Sequence, residues 1–346
     1  MKKLFLVLFT LIIFQQVNSQ IIVEPALVKW YTIEEAMELN KTQQRPIIID
    51  FYTDWCGWCT HMMRTTFANQ AIANMINANF YAVRFNAEGN DTVNYNGKTY
   101  YNRELAVNPK GTHEFAIEMM NNQRSYPTIV FLDKNGSKTP IPGYLDVKKI
   151  EPILYFFSEE IYNNALYGDY EKYFKLAFIP TEAEGFDFPN DTSGVVNWLT
   201  FEKAEELQKQ NPKPMYIDVF ATMYVSSNIM QRTTYRNPVI ADYLNENFYP
   251  VQLNAASQET ITFAGQVFNN GGNTAYSLHS LAAAFMQPGK VEIPLVVFLD
   301  ANKQLMNRLT GLYLPEHLEP VLYYLAEEKY KTITWQEFLT TFVSKM

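Results

Sequence analysis

The chain aligns with itself, and this limits its fold more than any other feature. Val28-Lys29-Trp30-Tyr31-Thr32 recurs as Val196-Asn197-Trp198-Leu199-Thr200, and Pro46 recurs as Pro214, an offset of 168 residues. At that offset Asp50 becomes Asp218, Arg64-Thr65-Thr66-Phe67 becomes Arg232-Thr233-Thr234-Tyr235, and Asn79-Phe80-Tyr81 becomes Asn247-Phe248-Tyr249. Gly143 pairs with Gly311 and Pro152 with Pro320, and Tyr126–Asp133 mirrors Ile293–Asp300 with a one-residue slip. Self-similarity over domain-sized stretches implies one domain duplicated, so both copies must satisfy one architecture. At 346 residues the chain is long for one compact domain and natural for two.

Each copy alternates helical and strand patterns. In the first, Thr32 with Glu35 forms a capping box ahead of a helix, and Pro46-Ile47-Ile48-Ile49-Asp50-Phe51-Tyr52 reads as a buried strand. Asn69 opens another helix, with Ile72, Met75 and Ile76 on one face; in the second copy Asn237-Pro238 is a cap followed by a first-turn proline. Strands follow at 80–86 and 248–254. Both copies then carry a hairpin signal, around Asn96-Gly97 within 92–100 and around Ala264-Gly265 within 260–268. A helix near 113–121, a strand through 129–133, a turn at 133–136 with a last strand, and a closing helix around 151–161 complete the copy. Further helical patterns at 169–177 and 334–345 end each copy. The expected fold class is α/β: two tandem three-layer α/β/α domains from an internal duplication.

Composition narrows the setting. Apolar residues at 47% and charged ones at 18% suit packed globular domains and argue against long disorder. The formal net charge of −8 gives no basic footprint for nucleic acid. No stretch reaches the roughly 18 apolar residues of a membrane span. Lys2-Lys3, an apolar run from Leu4 to Phe14 and the polar stretch to Ser19 read as a secretory signal peptide, 1–19, cut after Ser19; a buried first helix is the alternative. With no cysteine near that cut, lipid anchoring there is excluded, and the Met-Lys-Lys start favours a bacterial periplasm. The Pro-, Gly- and Asp-rich stretch 180–194 reads as a linker between domains 20–179 and 195–346.

Cys56 and Cys59, in Trp55-Cys56-Gly57-Trp58-Cys59, are the two cysteines of the chain. Such a pair can close a small disulfide or share a metal. Here the buried strand feeds a tight turn, and a helix opens at Cys56. A helix N-terminus carries unpaired N–H groups and a partial positive charge, which favour a thiolate, the reactive form. Cys59, one turn on, can attack a mixed disulfide on Cys56 and release it. A secreted chain of this size with one pair has no disulfide framework, which makes the pair a working disulfide rather than a staple. A metal site would add His61, but structural zinc takes four ligands, and His113, His279 and His317 show no ligand spacing. No cofactor is expected.

With Asp50 six residues before Cys56 and Tyr126-Pro127-Thr128 ahead of Ile129–Asp133, the first copy resembles the thioredoxin superfamily. The tandem arrangement is similar to secreted bacterial thiol:disulfide interchange proteins. That resemblance implies that Asp50 handles the proton of the second cysteine, that Pro127 is cis, and that Arg84 stands where many thioredoxins have a lysine near the carboxylate. It implies a thiol–disulfide oxidoreductase acting on disulfide- or dithiol-bearing proteins with an unidentified redox partner. Gly57-Trp58 departs from the family's usual Gly-Pro, so no redox potential carries over. Trp55 and Trp58 are read as an apolar platform for substrate, or else as ordinary packing, and Gly57, Tyr126 and Pro127 as substrate-contacting. In the second copy Cys56 becomes Tyr224, Cys59 becomes Ser227 and Arg84 becomes Gln252, which removes the exchange chemistry. That copy is then a binding domain or a decayed one kept for packing. The competing reading of the whole is a non-enzymatic chaperone or adaptor with a vestigial redox site.

Overall fold

The computed structural model describes residues 27–178, 195–272 and 277–346. The expected signal peptide, 1–19, and linker, 180–194, lie outside them. In the first half the order is β1 (Trp30–Tyr31), α1 (Ile33–Asn40), β2 (Ile47–Tyr52), α2 (Gly57–Thr65), α3 (Gln70–Asn79), β3 (Tyr81–Asn86), β4 (Val93–Tyr95), β5 (Lys98–Tyr100), α4 (Glu114–Met119), β6 (Thr128–Leu132), β7 (Lys138–Pro142), α5 (Val147–Ser158) and α6 (Tyr167–Phe178). Five strands form one sheet in the order β1-β3-β2-β6-β7. β2 runs parallel to β3 and antiparallel to β6. Its apolar side chains alternate between two cores, which is why the strand reads as a continuous apolar run. Ile48 packs in one cluster with Ile129 and Phe131, and Ile47, Ile49 and Phe51 pack in another with Phe115.

The local signals behave as their chemistry dictates. Thr32 and Glu35 exchange the two hydrogen bonds of a capping box, and the Asn69 side chain accepts from the amides of Ala71 and Ile72. Asn96 and Gly97 turn the hairpin at φ of 48° and 77°, the left-handed region a two-residue turn demands. Several helix boundaries differ from the pattern reading. The closing helix starts at Val147 rather than near Glu151, because Asp146 caps it by accepting the Lys149 amide at 2.9 Å. Pro152 therefore lies inside that helix rather than in its first turn. α6 runs to Phe178, one residue beyond the expected end.

The second half comprises α7 (Phe201–Gln210), β8 (Met215–Phe220), α8 (Val225–Arg232), α9 (Pro238–Asn247), β9 (Tyr249–Asn254), β10 (Ile261–Phe263), β11 (Gln266–Phe268), α10 (Ser280–Phe285), β12 (Leu295–Leu299), β13 (Leu305–Thr310), α11 (Pro315–Ala326) and α12 (Trp335–Thr341). Its sheet runs β9-β8-β12-β13, and a single bridge, Leu199 to Val251, stands where β1 pairs with β3 in the first half. The last helix stops at Thr341, four residues short of the pattern's end. The halves share an apolar core: one cluster holds Ile48, Phe131 and Phe157 together with Tyr216, Ile229 and Phe298.

Candidate redox site

β2 delivers the chain to the N-terminus of α2, where Cys56 is the N-cap. Cys56 and Cys59 are joined as a disulfide, and Cys56 Sγ accepts the Cys59 amide at 3.0 Å. The sulfur thus sits against N–H groups that a helix start leaves unpaired, where negative charge is favoured. Cys56 is 5% exposed and Cys59 1%, so Cys56 is the more accessible of two buried sulfurs. Gly57 leaves open space beside it: a Cβ there would meet nothing within 4 Å.

Aromatic groups flank the disulfide on two sides. Trp55 and Trp58 are 58% and 61% exposed, far above what packing would leave. The Trp55 indole N–H donates to Glu88 Oε2 at 2.8 Å, Tyr126 meets its ring edge-on at 6.2 Å, and Lys110 Nζ stands 5.0 Å from its centroid. On the other side Trp58 contacts Tyr144 at 5.3 Å and His61 at 5.6 Å. Glu88, Lys110 and Tyr144 had no motif to mark them. They come from three separate loops that only the folded sheet brings together.

Six residues before Cys56, Asp50 is buried at mid-strand in β2, in register with Arg84. Arg84 Nε lies 3.5 Å from Asp50 Oδ2, while its guanidinium stacks 3.9 Å from the Tyr52 ring. Burial pushes the Asp50 carboxyl up to about 6 against the pull of Arg84. A carboxyl poised there can hold or give up a proton near neutral pH. The Tyr126–Pro127 bond is cis, and Tyr126 is half-buried against Trp55. His113 and His279 serve as helix N-caps, accepting from the amides of Phe115 and Leu281. No group of metal-ligating side chains occurs among the described residues.

The corresponding turn of the second half has other occupants. Tyr224 precedes α8 without capping it, and Ser227 Oγ, buried, accepts the Ala221 amide at 3.4 Å. Asp218 keeps its buried place and is also pushed up to about 6 by burial, with Gln231 and Gln252 donating to Oδ2 at 2.6 and 3.2 Å. The Ile293–Pro294 bond is cis. Beside it lies an apolar cup of about 230 Å³ lined by Ala221, Met223, Tyr224, Ala256, Leu278 and Ile293. The cup adjoins a cleft of about 660 Å³ between the halves, reaching Lys134 and Asn163 of the first.

A buried strand ending at a helix-capping disulfide, with a carboxyl beneath and a cis proline alongside, defines a thioredoxin-like domain carrying a CxxC site. Residues 33–158 match the family model described as a thioredoxin-like domain. Among solved structures, a thioredoxin from Thermus thermophilus is 18% identical over 37% of this chain and 84% of its own, with a TM-score of 0.27. A thioredoxin-fold protein from Helicobacter pylori is 18% identical over 38% and 79%, with a TM-score of 0.29. The C-terminal domain of DsbD from Neisseria meningitidis, in its reduced form, is 18% identical over 36% and 92%, with a TM-score of 0.26. No curated protein matches the chain. No helix among the described residues is long and apolar enough to cross a membrane.

Proposed function

We propose that the protein is a periplasmic thiol–disulfide oxidoreductase built from a duplicated domain, whose first copy reacts and whose second binds. The observation that carries this is the Cys56–Cys59 disulfide with Cys56 Sγ held by the Cys59 amide at the start of α2. In the reduced protein the Cys56 thiolate attacks a substrate disulfide and forms a mixed disulfide, expelling one substrate thiolate. The Cys59 thiol gives its proton to Asp50, and its thiolate attacks Cys56 Sγ. The second substrate thiolate leaves, and the two expelled sulfurs take up protons. Two electrons pass to the substrate, and the Cys56–Cys59 disulfide is reduced again by a dithiol partner. Trp55, Trp58 and Tyr126 offer the apolar surface for chain next to the substrate cysteine, with Gly57 leaving room and Pro127 fixing the loop.

Reduction of insulin disulfides by the full-length protein tests the chemistry. Activity lost with Cys56→Ser or Cys59→Ser supports it; absence of activity in the parent protein, with chaperone action on an unfolded chain retained, would establish the adaptor reading instead. The binding role of the second half rests on the apolar cup. Ala256→Trp, which fills it, should weaken action on large unfolded proteins and leave reduction of a small disulfide unchanged. Equal rates on both substrates would remove that role.

A further inference from the structure

The start of α8 is where the second half would hold a redox sulfur had it kept one. It holds a carboxylate from the other half. Glu159, just past the end of α5, accepts the Val225 amide on Oε1 at 2.8 Å, and the Ser226 amide and hydroxyl on Oε2 at 2.8 and 2.5 Å. Both helix starts thus satisfy their free N–H groups with an electron-rich atom, Cys56 Sγ in one and a foreign carboxylate in the other. No lysine or arginine pairs with Glu159 among the described residues, so α8 supplies its stabilisation.

The sequence repeat provides an internal control. Glu327 stands 168 residues after Glu159, and each is a C-cap followed by a glutamate in the left-handed region, Glu160 and Glu328. Glu327, however, is exposed and pairs with Lys329 at 3.3 Å rather than with a helix start. Ending the helix therefore does not require a carboxylate bonded to backbone amides; holding α8 does. Other contacts cross nearby. Arg232 Nη1 donates to the Ala177 carbonyl at 3.0 Å, Asn164 Nδ2 to the Thr310 carbonyl at 2.6 Å, and Tyr173 OH to Glu316 at 2.8 Å.

We infer that the lost active site of the second half has become an interdomain docking socket, with Glu159 as the plug that fixes how the halves sit. The socket is closed to substrate anions and thiols, and anything the second half binds must use the cup beside Ile293 instead. This holds whether or not the first half is an oxidoreductase.

Full-length Glu159→Ala, Glu159→Gln and Ser226→Ala test the inference by calorimetry and small-angle scattering. Glu159→Ala should melt roughly 5 °C or more below the parent. Its single transition should split in two, and its radius of gyration should rise. Ser226→Ala, which loses one of three bonds, should shift the same way by less. Parent-like melting and scattering in both Glu159 variants would overturn the socket. So would a lowered melting temperature with one transition and an unchanged radius, because Glu159 would then be stabilising its own half only. Should Glu159→Ala not fold, Glu159→Gln and Ser226→Ala give the same readings.

Discussion

At the scale of single residues, the site sets a buried carboxyl against a disulfide whose outer sulfur caps a helix. Asp50 makes this measurable. Its ordinary value is 3.8, and burial raises it to about 6 in the folded chain, so the folded state holds the proton more tightly than the unfolded one. Stability from this group is fully present below the ordinary value and is lost as pH rises through about 6, a cost of roughly 3 kcal/mol at neutral pH. Asp50→Asn should therefore melt above the parent at pH 7, with the difference vanishing as pH falls towards 4. Thermal melts across that window check it; a variant less stable than the parent at pH 7 would show that ionised Asp50 is well compensated. The same variant should slow turnover, because Cys59 loses its proton acceptor. The disulfide of Cys56 and Cys59, the burial of Asp50 and the cis bond before Pro127 fall on residues that each lie in a local pattern of strand, cap or turn. No such pattern marks Glu88, Lys110, Tyr144 and Glu159. Their positions follow from loop packing and from docking between halves, which neither periodicity nor spacing encodes.

At the scale of elements, strand and cap chemistry set most of the outcome, and the errors fell at helix ends. The closing helix starts four residues before the position the pattern predicts because Asp146, three residues ahead of Lys149, accepts its amide and caps the first turn. The paired hairpins offer a sharper comparison. The first turns at Asn96-Gly97, while the second places Ala264 at φ of 53°, a conformation that costs an alanine about 1 kcal/mol. Ala264→Gly should therefore stabilise the protein by roughly that amount, offset in part by the freer unfolded chain. Chemical denaturation of the full-length protein measures it. A net loss of stability would mean that the alanine methyl packs better than its open surroundings imply.

At the scale of the whole molecule, the halves are joined by a shared apolar cluster and by Glu159, and the cysteine pair lies in one of them. The similarity of the two stretches was visible in the sequence because most strand and turn residues keep a near-constant offset, with a one-residue slip before the proline strands. The contact between the halves was not, because it uses what the two stretches do not share: Glu159 is half-buried and held by the Val225 and Ser226 amides where Glu327 is exposed. The shared core also bears on truncation. A first half ending at Phe178 would expose Phe174 and Tyr155, and should melt well below the full chain. The central claim is that Cys56 attacks and Cys59 resolves, and mixed-disulfide trapping tests it most directly. Full-length Cys59→Ser, reduced and mixed with an oxidised protein substrate, should accumulate a covalent adduct whose peptide map places the bond at Cys56, while Cys56→Ser should accumulate none. An adduct formed by Cys56→Ser through Cys59, or by neither variant, would contradict the account.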